Sequence, residues 1–463
     1  MKIAIYYGNR GFFPGEVIAS AREEMRQAVE KAGFEAMELG AEETRYGAVE
    51  TIAEGKRYAA FLEERRGEYD GVIVCLPNFG DENGAYYALK DAGVPILVQA
   101  YPDEIGKMDF AHRRDAVCGK IAMCNVFRQA GIGYTLTREF AVHPLSEAFG
   151  EDLRVFGGIC RTVKGLKHFT VGAIGARTTA FKTVRADEIA FQRKRINVET
   201  IDLTQVFALM EKAEESRLSE KKAHLREVSD FGKYGEEKLE NLARLGIALD
   251  ELIEAYGLDS IAIRCWDELQ KKYGIAPCVL LSDLNERGIP AACELDINNA
   301  VMMRALASAS GAPVMLFDVN NNYGGDKKKA VLFHCGPAPA SMMKGKGHIE
   351  EHLMFRKTLG AEKGVGLNVG KIAATETTLG SMKTENGKIC SFVTEGKLTE
   401  DEIEKAFFGC GVVFEKREGT AEALLNYMSA EGYRHHVAIA KGNWGGAVKE
   451  AFGTYLGYEI EEV

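Results

Sequence analysis

"KIAIYYGNRGFFPGEVIASAREEMRQAVEKAGFEAMELG", residues 2–40, holds two strand-like runs around one helical stretch. The first run is short and almost wholly apolar, as a strand buried on both faces should be. Between Gly15 and Gly33 the apolar residues recur at helical spacing opposite a charged face. The same alternation continues through "ETIAEGKRYAAFLEERRGEY" (50–69), "DGVIVCLP" (70–77) and "VPILVQAY" (94–101). Strand and helix signals in turn argue a parallel sheet with helices on both faces, whose ligands approach the carboxyl ends of the strands. Asn9 and Arg10 stand at such an end after the first strand, and Asn78, Asp81 and Glu82 after the third.

A second unit of this kind begins near Lys167. Its strand-like runs are "HFTVGAIGAR" (168–177), "INVETIDL" (196–203), "DSIAIRCW" (259–266) and "PAACELD" (290–296). Helical stretches lie between them, including a long charged region to about Leu258 that reads as solvated helix faces. Beyond Gly311 the pattern changes to strands joined by Gly and polar turns, such as "KKAVLFHCG" (328–336) and "TTLGSMKTENGKICSFVTEG" (377–396). "ENGK" within the latter is a two-residue hairpin signal. The expected architecture is therefore two doubly wound, Rossmann-like α/β domains, 1–165 and 166–312. A mainly antiparallel, barrel-like β domain with flanking helices, 313–463, follows them.

The totals exclude several classes. With 463 residues, 46% hydrophobic and 27% charged, the chain has an ordinary soluble composition. A net charge of −10 argues against nucleic acid or an anionic membrane as partner. No apolar run spans a bilayer and the start lacks a signal-peptide core, so a cytoplasmic protein is expected. None of the ten cysteines forms a C-x-x-C pair, which favours buried reduced thiols over a zinc cluster. The glycine patterns "GVGLNVG" and "GAIGAR" lack the spacing or the following helix that a pyrophosphate needs, and read as strand turns.

Four late strands carry polar residues at their ends: Glu294, Asp318, His334, and the His435–His436 pair that opens "HHVAIAKG". Each one alone is commonplace. Together, carboxylate oxygens with imidazole nitrogen suit a divalent cation with open positions, such as Mn²⁺. Such a cation polarises a carbonyl and lets carboxylates move the neighbouring proton. Successive residues of a strand face opposite ways, so His435 and His436 are not expected to share a role.

"ELD" (294–296), "FDVNNNYG" (317–324), "VLFHCG" (331–336) and "HHVAIAKG" (435–442), in that order, resemble the motifs of the L-fucose/L-arabinose isomerase family. "GNRGFFPG" (8–15) and "GAIGAR" (172–177) resemble its N-terminal and central domains. The resemblance implies a three-domain subunit, a divalent metal (usually Mn²⁺) and interconversion of an aldose with its ketose through an enediol. It assigns Glu294 and Asp318 as metal carboxylates and as acid and base, and His436 as the metal histidine. His334 falls where the arabinose branch has a further histidine ligand, whereas Asp at 318 is like the fucose branch, so the fourth ligand stays open. Arg10, Asn78 and His435 are the expected substrate contacts. Arg10 would reach the site of a neighbouring subunit in a homo-oligomer, a hexamer in this family. The rival expectation is a non-catalytic sugar-binding or regulatory protein. A deoxy-hexose, a pentose and an acid-bearing hexose all remain open as the sugar.

Overall fold

β1 (Lys2–Tyr7) lies inside a five-stranded sheet with β2 (Glu35–Glu38), β3 (Gly71–Leu76), β4 (Ile96–Ala100) and β5 (Thr135–Leu136), in the order 2-1-3-4-5 with β3 at the centre. Every pairing in it is parallel, as the alternating sequence requires. The structure is a computed structural model and describes residues 1–404 and 407–463. The sheet belongs to a first unit, residues 1–164 with 450–457; a second comprises 165–449 with 458–463. In the first unit the helix Ile52–Glu64 starts on a capping box, the Thr51 hydroxyl and Glu54 carboxylate each accepting from the other's backbone N–H. The Tyr455 hydroxyl, from the returning segment, donates to the Ile96 carbonyl at 3.1 Å.

The second unit holds three sheets. β6 (Phe169–Ile174), β7 (Ile196–Ile201), β9 (Ser260–Ile263) and β10 (Ala291–Ala292) form a parallel sheet ordered 10-9-6-7. β8 (Ser229–Asp230) joins β13 (Gly347–Glu351) and β14 (Val365–Val369) in a small one. The largest comprises β11 (Val314–Tyr323), β12 (Asp326–His334), β15 (Thr375–Glu385), β16 (Lys388–Leu398), β17 (Cys410–Lys416), β18 (His436–Lys441) and β19 (Glu459–Glu462). Its order is 15-18-11-12-17-16-19, and a further pairing of β15 with β16 closes six of the strands into a ring. All pairings are antiparallel save β16 with β19. The mixed architecture is thus parallel sheets followed by a mostly antiparallel, closed one. All ten cysteines are free.

Met315, Phe317, Leu332, Val437 and Ile439 share one apolar cluster inside the ring. Alternation then places Asp318 and His436 on its outer face. They are direct partners in the β11–β18 register. The helix Ile297–Ser310 packs against β18 and β15, and its Asn298 and Asn299 are fully buried. The Asn299 amide donates to Asp296 at 2.7 Å and accepts from the Met382 N–H at 3.2 Å, so it ties the start of this helix to β15. A buried polar group costs free energy unless it is bonded, and these bonds fix the helix in register with the barrel.

The hairpin signal forms as expected: Asn386 and Gly387 both take positive φ, 51° and 75°, between the paired Glu385 and Lys388. Side chains pay about 1–2 kcal/mol for that conformation, a branched one most. Asn386→Val should lower the urea midpoint by an equivalent amount and Asn386→Gly should leave it nearly unchanged. Equal losses for the two would contradict the turn assignment.

Candidate active site

Three residues after β10 make the sharpest feature of the second unit. Glu294 and Leu295 both have φ +63°, a left-handed conformation that side chains resist. The turn is held on each side. The Leu295 N–H donates to the Ile263 carbonyl at 3.0 Å, and the Asp296 N–H to the Cys293 carbonyl at 3.2 Å. Asp296 then caps the helix Ile297–Ser310 by accepting from the Asn299 N–H at 3.2 Å. The effect is to turn the Glu294 carboxylate back over the outer face of the barrel.

There its Oε2 lies 2.9 Å from Nε2 of His436, and Oδ1 of Asp318 lies 3.4 Å from the same nitrogen. The other imidazole nitrogen, Nδ1, is 2.9 Å from Oδ2 of Asp296. Asp296 and His436 are fully buried. Arg434, also buried, brings Nη1 to 3.2 Å from the second Asp296 oxygen. The same guanidinium donates to the carbonyls of Thr183 and Met382. A carboxylate only accepts, so Asp296 keeps hydrogen on Nδ1 and leaves Nε2 to face the two other carboxylates. Oδ1 of Asp318, Nε2 of His436 and Nε2 of His334 are buried without a hydrogen-bond partner among the described residues.

The charges follow from this packing. Burial opposes a charged His436, but Asp296 and Glu294 outweigh it and lift the imidazole to about 10. Burial likewise opposes a charged Asp296, yet Arg434 and His436 hold it down at about 2. For Asp318 burial wins, and the carboxyl is raised. Phe181 stands against both histidines, ring centroids 6.0 Å from His435 and 6.2 Å from His436, and edge-on to Trp266 at 5.1 Å. These rings give the polar cluster an apolar wall.

His435 departs from the alternation argument. β18 begins at His436, so His435 stands outside the strand and strand alternation does not govern it. Its ring lies edge-on to His436 with centroids 4.5 Å apart, and its Nε2 is 3.8 Å from Oδ1 of Asp318. Asp318, His435 and His436 offer ligand atoms within 4.8 Å of one another, a cation-binding geometry. His334 stands nearby, its ring centroid 6.4 Å from that of His436.

Residues 4–167 match the family model for the fucose/sulfoquinovose isomerase N-terminal domain, and 332–463 that for the L-fucose isomerase C-terminal domain. The chain belongs to the fucose isomerase-like family. Its relatives include the sulfoquinovose isomerase of Priestia aryabhattai, 23% identical over 83% of each chain. Another, the sulfoquinovose isomerase of Alkalicoccus urumqiensis, is 26% identical over 68% of this chain and 70% of that one. A third, from Clostridium sp. (strain MSTE9), is 23% identical over 65% and 66%. As a member of this family the chain is an aldose–ketose isomerase.

In this fucose isomerase-like chain Arg10 belongs to the first unit, where it pairs with Glu82, stands 3.9 Å from Asp81 and stacks over Phe79 at 4.2 Å. Asn78 is fully buried and its amide is engaged throughout. It donates to Asn9 at 2.7 Å and to the Pro14 carbonyl at 3.0 Å, and accepts from the N–H groups of Arg10 and Gly80. It shapes the Arg10 loop and has no bond left for a sugar, a correction to the reading of Asn78 as a substrate contact. Sequence reasoning also passed over Asp296 and Arg434. The signals were present: Asp296 ends "ELD" and heads a helix, and Arg434 directly precedes the His pair.

These shifts fix a pH dependence for the metal-free protein. His436 is raised from 6.5 to about 10, so its contribution to stability is complete below pH 6.5 and lost as pH rises through about 10. Asp296 is lowered from 3.8 to about 2, so its contribution is complete above pH 3.8 and lost as pH falls through about 2. The stability difference between wild type and His436→Gln, measured by urea unfolding, should be greatest between about pH 4 and 6.5 and shrink steadily towards pH 10. A difference that grows in that alkaline range would contradict the arrangement.

Proposed function

We propose that the chain converts a sulfonated aldohexose of the sulfoquinovose kind to its ketose, using Mn²⁺ or another divalent cation held by Glu294, Asp318 and His436. One observation carries the cation. Two carboxylate oxygens converge on Nε2 of one imidazole, at 2.9 and 3.4 Å, and among the described residues Oδ1 of Asp318 and Nε2 of His436 have no hydrogen-bond partner. An array of this sort calls for positive charge at its centre, and the O/O/N donor set fits a hard or borderline divalent ion. His435 is near enough to join or to meet a sugar hydroxyl. The sulfonated substrate is supported by the relatives, each named a sulfoquinovose isomerase and aligned over 65–83% of this chain.

When bound, the cation polarises the sugar carbonyl and offsets the negative charge of the enediolate. The protein's own part is proton movement. One of Glu294 and Asp318 takes the proton from C2 of the aldose, and the electron pair moves into the C1–C2 bond as the carbonyl π pair shifts to O1. The O2 hydroxyl then gives up its proton as O2 becomes the ketose carbonyl, O1 takes one to become a hydroxyl, and the carbon-bound proton is returned at C1, so no external oxidant or reductant enters. Burial raises the Asp318 carboxyl, which favours its protonated form more than in a free carboxylate. Asp296 holds His436 in one tautomer, and Phe181 and Trp266 limit water.

We further infer a homo-oligomer, a hexamer as the resemblance implies, in which Arg10 serves the site of an adjacent copy. Co-assembled Arg10→Ala and Glu294→Ala chains, each inactive alone, should then recover activity. Mixed oligomers as dead as their parents would count against this sharing.

The functional reading is tested by assaying the purified chain on sulfoquinovose, L-fucose and L-arabinose after chelation and Mn²⁺ return. The expected outcome is metal-restored activity with the highest kcat/KM on sulfoquinovose and solvent deuterium in the product. Glu294→Gln and Asp318→Asn should each lose about 10²–10⁴ in kcat. Full activity after chelation, or preference for an uncharged sugar, would overturn the corresponding half.

A further inference from the structure

We propose that His334 is a hydrogen-bond donor to a substrate oxygen and not a ligand of the cation; the substrate half of this rests on the function proposed above. The assignment follows from what faces each imidazole nitrogen. Nδ1 of His334 lies 2.9 Å from the backbone nitrogen of Cys335 in hydrogen-bond geometry. A backbone N–H only donates, so Nδ1 must carry the lone pair. A neutral imidazole has one hydrogen, which then sits on Nε2. Protonating the ring leaves Nε2–H in place. In neither state does Nε2 hold a lone pair for a metal.

His436 is the opposite case. Its Nδ1 faces the Asp296 carboxylate at 2.9 Å, an acceptor, so hydrogen stays there and Nε2 is the nitrogen that gives up its hydrogen to take a cation. Two histidines with ring centroids 6.4 Å apart are therefore set for opposite tautomers once a cation binds, one by a carboxylate and one by a backbone amide. One offers a lone pair and the other an N–H. His334 is 2% exposed, and its Nε2 has no partner among the described residues. A buried donor left unpaired is costly, so the group that satisfies it arrives with the ligand. A sugar hydroxyl or the oxyanion formed during isomerisation is the matching acceptor. The Cys335 sulfur lies 3.3 Å from Nδ1; as a thiol it asks for no hydrogen there, and as a thiolate it pairs with the doubly protonated ring, which keeps Nε2–H.

The tautomer is read directly from long-range ¹H–¹⁵N correlations on the metal-free chain carrying ¹⁵N-histidine, with His334 assigned by its loss in His334→Gln. The expected spectrum shows protonated Nε2 and bare Nδ1 at His334; the reverse would overturn the proposal. Titration with MnCl₂ gives an independent readout. His334→Ala and His334→Gln should bind Mn²⁺ within about threefold of wild type, since no ligand is lost, whereas removing a ligand should cost tenfold or more. Turnover should fall about 10–100-fold in the Ala variant and recover in part in the Gln variant, whose amide N–H can stand near Nε2. A tenfold loss of Mn²⁺ affinity in His334→Gln would make His334 a ligand. A wild-type chain that binds no Mn²⁺ would sink the functional reading, while the tautomer measurement still decides the state of His334.

Discussion

The buried Asp296 carboxylate is the group on which the site depends. It accepts from His436, Arg434 and the Asn299 N–H, and so joins the chain ends of three elements at one point. Removing one partner of a buried, hydrogen-bonded pair costs about 3–5 kcal/mol, because the other charge is left uncompensated. Residues held in sparsely populated backbone regions cost about 1–3 kcal/mol each. Two of them, Glu294 and Leu295, directly precede Asp296. The two magnitudes are of the same order, so the turn relies on several bonds at once, from His436, Arg434 and the Asn299 N–H, on the residue that follows it. Leu295 adds to this by being buried.

The barrel supplies the other half. Closure of β15 on β16 fixes the register of β18 against β11, and that register sets Asp318 opposite His436. A slip of one residue would send both to the other face. The strand alternation that buries Phe317 and Val437 inside the ring thereby delivers the two functional side chains outside it. Glu294 reaches the same point from the parallel sheet. The proposed site thus draws on two sheets of different type, tied together by the buried asparagines of the helix Ile297–Ser310.

Much of this was legible in the sequence, for identifiable reasons. Short apolar runs with helical stretches between them encode a parallel sheet, and Asn386–Gly387 encodes a hairpin because both residues tolerate positive φ. Glu294, Asp318 and His436 were visible because polar residues at the ends of apolar strands stand out. Other features left no such trace. Glu and Leu are not turn residues, so nothing in "PAACELD" announces a double left-handed turn; tertiary hydrogen bonds impose it. His435 was placed by alternation, which fails because the strand starts one residue later. Asn78 read as a ligand contact from its position at a strand end, but position does not show whether an amide is already bonded.

Glu294, Asp318 and His436 are proposed to form one preformed cation site. Diffraction from crystals grown with Mn²⁺, recorded on both sides of the manganese absorption edge, tests it most directly. The account predicts one anomalous peak per chain, bonded to Oε2 of Glu294, Oδ1 of Asp318 and Nε2 of His436 and not to His334. A chain with no peak there, or with manganese bound elsewhere while these three side chains hold their metal-free positions, would contradict it.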